Sequence, residues 1–243
     1  MKTKVTDVSP MAYARIAGVL YLIITVAAIF AHFVVPDQLL VAGDAAATAQ
    51  NILASESMFR LGAIGSELVI LLSEIVLSVV LYVLLKPVNK TLSLLAAVSR
   101  LAMTTIHGLN LLNYYFVLQL LKGNYLSVFG QEQTDALASL FLNAHSLGFT
   151  IGIAFLVPHV LILGYLIYRS GYFPKVLGIL FCAAGVGYLI DTVGLLLTTS
   201  YTTTPGIIAM TIAIAEIAFP LWLLVKGVNR NGWQNRTLAL ETA

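Results

Sequence analysis

The sequence predicts an all-α membrane protein: a bundle of about six transmembrane helices with two short extracytoplasmic surface helices. Three observations lead there. The chain has 243 residues, 59% of them hydrophobic and only 10% charged, whereas a soluble domain carries about 25% charged residues to keep its surface wet. It contains six apolar runs, each near the ~20 residues a helix needs to cross a bilayer core. Its basic residues gather on alternate connections between those runs, the bias that sets membrane orientation.

The runs fall approximately at 14–35, 61–85, 91–121, 146–168, 176–199 and 206–225. The basic stretch "MKTKVTDVSPMAYAR" precedes the first. That run is longer than the roughly 7–15-residue apolar core of a cleaved signal peptide, so a retained span is expected. The third run is long enough to tilt or to extend past the membrane. "KPVNK" and "RSGYFPK" are short connections, which make antiparallel neighbours of spans two and three and of spans four and five. The longer connections, 36–60 and 122–145, each read as a surface helix. "GDAAATAQNILAS" offers Asp44 as N-cap, and "QEQTDALASLFLNAH" is apolar at helical spacing.

Ten bases (Lys2, Lys4, Arg15, Lys86, Lys90, Arg169, Lys175, Lys226, Arg230 and Arg236) fall on one side of this arrangement, against Arg60 and Lys122 on the other. The expectation is a multi-pass protein of a bacterial cytoplasmic membrane with both termini cytoplasmic. Residues 1–230 form a single integral-membrane domain and 231–243 a polar cytoplasmic tail. The spans also hint at repetition. Tyr82/Lys86, Tyr165/Arg169 and Trp222/Lys226 close spans two, four and six, while Arg15/Gly18/Tyr21 and Lys175/Gly178/Phe181 open spans one and five. That suggests three pseudo-repeated helical hairpins; helix ends that recruit an aromatic and a base as interfacial anchors give the same pattern.

A net charge of +2 leaves no nucleic-acid footprint. The single cysteine, Cys182, excludes a disulfide framework and Cys-rich zinc sites. No P-loop is present, and no GxGxxG follows a strand.

Several stretches together resemble a known family: "ARIAGVLYLIITVAAIF", "GDAAATAQNILASESMFRLG", "LYVLLKPVNKTLSLLAA", "LGYLIYRSGYFPKVLGIL", "GYLIDT" and "LWLLVKGVN". The chain is similar, over most of its length, to the bacterial membrane-protein family called domain of unknown function 4386. The resemblance implies a polytopic membrane protein and carries no catalytic roles over, so the residues themselves must supply any chemistry.

An ionisable side chain at the centre of a bilayer costs roughly 2.5–3.5 kcal/mol on insertion scales, so such residues face a bundle interior or a wet cavity. The spans hold Glu67, Glu74, Arg100, His107, Asn110, Asn113, His159, Asp191 and Glu216, with His32 near an end. Glu67 and Glu74 lie nearly two helical turns apart and share a face. Counting about 1.5 Å per residue inward from the cytoplasmic bases places Glu74, Arg100, His159 and Glu216 near mid-membrane, and His32, His107 and Asp191 in a second layer. Four acids against one arginine leave an excess of negative charge that low dielectric does not tolerate unless protons, charged histidines or a bound cation offset it. Glu74 is the acid nearest Arg100 in depth and is expected to pair with it.

Three functions follow as expectations. One is transport or binding of a small or cationic ligand coupled to protonation, at Glu67, Glu74, Arg100, His107, Asn110, His159, Asp191 and Glu216. Another is an intramembrane hydrolase with a divalent metal held by His32, His107 and Asp191. The third is a non-catalytic scaffold in which polar groups only bind helices together. The expected partners are the lipid bilayer and a small-molecule or cation ligand, with no nucleic acid; catalysis and oligomeric state stay open.

Overall fold

A computed structural model describes residues 9–123 and 126–241. Lys2 and Lys4, which contribute to the charge bias, lie outside the described residues. The described chain is helical apart from its connections, with no strand. Its elements are α1 (Pro10–Leu39), α2 (Ala45–Ala54), α3 (Glu56–Leu85), α4 (Lys90–Lys122), α5 (Leu126–Phe129), α6 (Gln131–Ser170), α7 (Lys175–Leu197), α8 (Gly206–Val225) and α9 (Arg230–Glu241). Six of them, α1, α3, α4, α6, α7 and α8, are long and apolar enough to cross a membrane. Their outer faces present large apolar side chains to the surroundings, Phe33 at 70% exposure and Leu72 at 66% among them. Their buried faces hold acids, histidines and amides. A soluble protein has the opposite arrangement, and exposed apolar surface on this scale needs a bilayer to cover it.

Local chemistry accounts for the helix ends. Asp44 caps α2, its Oδ1 accepting from the Ala47 amide at 2.8 Å, as the sequence suggests. Asn89 does the same for α4, accepting from the Leu92 amide at 2.9 Å. Gly171 and Gly227 follow α6 and α8 with φ of +76° and +68°, the left-handed conformation that ends a helix and that only glycine adopts without strain.

Two features depart from the sequence expectation. The helix foreseen over 131–145 is not a separate surface element; it is the first part of the 40-residue α6. No proline or glycine interrupts the chain between Gln131 and Leu147, so nothing there stops the helix. In addition, α1 and α3 each contain a π-helical stretch, Phe30–Val34 and Phe59–Gly65. A π turn takes one more residue than an α turn, and such turns often mark functional positions.

The chain forms two compact units. Of the described residues, unit 1 comprises 9–22, 74–103 and 153–241; unit 2 comprises 23–73, 104–123 and 126–152. Unit 1 packs around the fully buried Phe219, whose ring meets Tyr21, Phe173 and Phe181 edge-on at centroid distances of 6.0, 5.7 and 5.2 Å. Tyr21 and Phe181 are the matching aromatics of the two Gly-containing motifs, so those motifs do equivalent packing work. The helix α9 docks within unit 1 through Trp233 Nε1–H to the Leu84 carbonyl at 3.1 Å and Arg236 Nη2–H to the Arg169 carbonyl at 3.0 Å. Tyr172, in the α6–α7 connection, donates to the same Leu84 carbonyl at 2.7 Å. The core of unit 2 gathers Val35, Ile52, Phe59, Val117, Leu118 and Ala138.

Candidate functional site

Each unit has its own polar cluster. In unit 1, Arg100 of α4 faces Glu74 of α3. Its Nε–H donates to Glu74 Oε2, and its Nη2–H donates to Oε1 at 2.8 Å. This two-pronged pairing is the geometry for which a guanidinium is suited. The Nη1 group reaches His159 Nε2 at 2.9 Å and the Tyr21 hydroxyl at 3.4 Å. A guanidinium can only donate, so His159 Nε2 accepts. The proton therefore sits on Nδ1, which donates to the Ala96 carbonyl at 2.9 Å. Arg100 thus fixes the tautomer of His159. Nearby in the same unit, Glu216 accepts from the Tyr188 hydroxyl.

Asp191 is half-buried and also belongs to unit 1. Both of its carboxylate oxygens are used: Tyr201 donates to Oδ1 at 2.8 Å and Thr204 to Oδ2 at 3.0 Å. The Tyr201 ring packs on Gly194, where a Cβ would lie 2.7 Å from it. Loss of water around the hydroxyl and the adjoining Asp191 push the Tyr201 pKa up to about 12, so it stays protonated and keeps donating at neutral pH. Asp191 therefore fastens the α7–α8 connection.

In unit 2, two glycines of α6 make room for polar side chains of α4. A Cβ on Gly152 would lie 2.1 Å from His107 Nε2, and one on Gly148 2.1 Å from Asn110 Oδ1. Their spacing suggests close helix packing from the sequence alone; what they admit is a histidine and an amide. His107 Nε2 lies 3.0 Å from the Phe149 carbonyl and its ring stacks on Phe149. Asn110 donates to the His145 carbonyl at 2.8 Å and accepts from Asn113 at 2.9 Å. The His145 ring stacks on Tyr114.

Glu67 is different. It is buried, with its side chain only 4% exposed. Its Oε1 lies 3.4 Å from His32 Nε2, a side chain 26% exposed. That separation allows charge attraction, but Oε1 has no aligned hydrogen-bond donor among the described residues. The π-helical stretch of α1 contains His32, and that of α3 ends just before Ser66 and Glu67. A carboxylate in such surroundings needs a counter-charge, whether a proton or a cation.

The structure therefore brings Glu74, Arg100 and His159 into one contact network in unit 1; in unit 2 it sets His32 beside Glu67 and seats His107 and Asn110 separately, at Gly152 and Gly148 of α6. Among the described residues, no three of the His, Cys, Asp and Glu side chains gather closely enough to hold a metal ion. His32 and His107 belong to unit 2, whereas Asp191, which depth counting groups with them, belongs to unit 1 and is engaged by Tyr201 and Thr204. Sequence reasoning places Tyr21 only in a repeat motif and misses it and Tyr188 as members of the polar cluster. Their only signal was a hydroxyl inside an apolar run, which an interfacial anchor shares.

Residues 16–227 match the family described as "Domain of unknown function (DUF4386)". A relative from the archaeon Archaeoglobus fulgidus, bearing the name "Uncharacterized protein", is 32% identical over 164 residues, covering 68% of this chain and 82% of its own. No solved structure matches the chain. The match over 16–227 takes in every membrane-length helix at least in part, and the chain belongs to the DUF4386 family.

Proposed function

We propose that the protein binds, and carries across the membrane, a proton or small cation at Glu67, with His32 as the group through which that site exchanges charge with its surroundings. The observation that supports this reading most is the buried Glu67 Oε1 without a hydrogen-bond donor, 3.4 Å from a partly exposed histidine. A purely structural acid is expected to be satisfied like Glu74 or Asp191. The two π-helical stretches add support, since they place the irregular backbone of α1 and α3 at or next to these two residues.

The reading is tested by charge movement in proteoliposomes on a supported membrane after a pH jump. The wild type gives a transient current, and Glu67→Gln, which keeps the shape and removes the charge, abolishes it. His32→Ala slows it, and Glu67→Asp retains part of it. Equal currents from the wild type and Glu67→Gln, at matched melting temperature, refute the proposal.

The orientation proposed with it, both termini cytoplasmic, rests on the basic bias. A reporter fused after Ala243 should give a cytoplasmic signal and one inserted at Asn124 an external signal; both positions lie outside the described residues. A C-terminal reporter that is active only outside reverses the orientation.

A further inference from the structure

A second site lies in unit 1, at the end of the membrane-spanning segments. Arg169 is the penultimate residue of α6, and Asn89 immediately precedes α4, so both stand at headgroup level if these helices span. With Val88, Tyr165 and Arg236 they line a pocket of about 200 Å³. We propose that this pocket binds a phosphate-bearing anion, the headgroup of an anionic lipid being the source its position favours.

The chemistry converges on an anion. Two guanidiniums line the pocket and no carboxylate does. Among the described residues neither arginine forms an ion pair, a state they share with the other bases on this side, such as Lys226 and Arg230. Like charges held together without a counter-ion repel one another, and a bound anion reverses the sign of that interaction. Arg236 is held in place by one hydrogen bond, from Nη2 to the Arg169 carbonyl at 3.0 Å, and the rest of its donor fork is available. Asn89 uses its Oδ1 on the Leu92 amide, so the group it offers a ligand is its amide N–H2. Docking of Trp233 and Tyr172 on the Leu84 carbonyl holds α9 against this end of the unit. The volume is below the roughly 300–1,000 Å³ of pockets for drug-sized molecules, which fits a headgroup better than a whole metabolite. Basic pockets beside transmembrane helices are known lipid-headgroup sites.

The test uses the full chain in non-ionic detergent, titrated with phosphatidylglycerol, phosphatidylcholine and inorganic phosphate. Retained lipid is read by native mass spectrometry and stabilisation by the melting temperature. Phosphatidylglycerol should bind and stabilise where phosphatidylcholine does not. Arg169→Gln with Arg236→Gln should weaken its binding about tenfold or more, the loss expected for charge-assisted contacts. Lys226→Gln with Arg230→Gln removes the same charge outside the pocket lining and should leave binding little changed. Arg169→Lys with Arg236→Lys keeps the charge without the planar fork and should fall between, a readout that survives if the glutamine pair detaches α9. Inorganic phosphate that stabilises the protein through the same arginines, and displaces phosphatidylglycerol, would support the site with a soluble phosphate as its source. Equal weakening by the pocket pair and the control pair, or equal binding of the two lipids, overturns the proposal: the attraction would then be only that of a basic face.

Discussion

Glu74→Leu and Arg100→Leu should each destabilise the detergent-solubilised protein by about 3–5 kcal/mol, the cost of leaving one charge of a buried pair alone. Both side chains are less than a tenth exposed, so water does not replace the missing partner. The double variant should recover much of the loss, because two apolar side chains leave no unpaired charge. Recovery should be incomplete. Arg100 also donates to His159 Nε2 and approaches the Tyr21 hydroxyl, and groups that lose a buried partner cost about 1–3 kcal/mol each. Arg100→Lys separates charge from geometry: an ammonium retains the charge opposite Glu74 but cannot hold Glu74 in a fork and reach His159 as well. Its stability should lie between the wild type and Arg100→Leu. The measurement is a double-mutant cycle on melting or denaturant curves. Strictly additive losses would show that the two residues do not interact.

That pairing was legible because it depends on two things a sequence carries, a short connection and a count of residues. "KPVNK" makes α3 and α4 neighbours, and similar distances, twelve residues from Lys86 and ten from Lys90, bring Glu74 and Arg100 to a similar depth. The Asp44 cap was legible for a similar reason, since a cap is a local interaction. Counting fails where the helix is not uniform. The π-helical stretches in α1 and α3 come from backbone hydrogen bonds that side-chain periodicity does not report. Asp191 shows a different limit: counting along α7 gives its place on the helix, but its partners, Tyr201 and Thr204, come from the following loop, whose path a hydropathy pattern does not contain. The extent of α6 was missed because a change from polar to apolar composition near Ser146 looked like a boundary, although no residue there breaks a helix. The glycines of α6 carried the right signal, close approach, without saying which side chain approaches.

Close approach reaches its limit at Gly178 and Gly164, where α7 and α6 meet backbone to backbone. A Cβ on Gly178 would lie 2.6 Å from the Tyr168 amide nitrogen and 2.7 Å from the Gly164 carbonyl oxygen. One on Gly164 would lie 2.7 Å from the Cys182 nitrogen and 2.9 Å from the Gly178 carbonyl oxygen. Helix propensity alone argues that Gly→Ala stabilises a helix interior by up to about 1 kcal/mol. Here the nearest obstructing atoms are main chain, joined at Gly164 by Cys182 Sγ at 2.8 Å, and main chain cannot turn aside as a side-chain tip does, so the two helices must separate. Overpacking of a tight interface costs about 1–3 kcal/mol and sometimes more, and in a membrane the lost contact is not made good by a hydrophobic drive between helices. Gly178→Ala and Gly164→Ala should therefore both lower the melting temperature in detergent, and Gly178→Leu should prevent recovery of folded protein. Gly206→Ala supplies the control: it sits at the start of α8 with nothing within 4 Å of the new Cβ, and it should be neutral or slightly stabilising. If Gly178→Ala melts at or above the wild-type temperature, propensity has outweighed contact, and α6 and α7 do not pack as closely as these distances require.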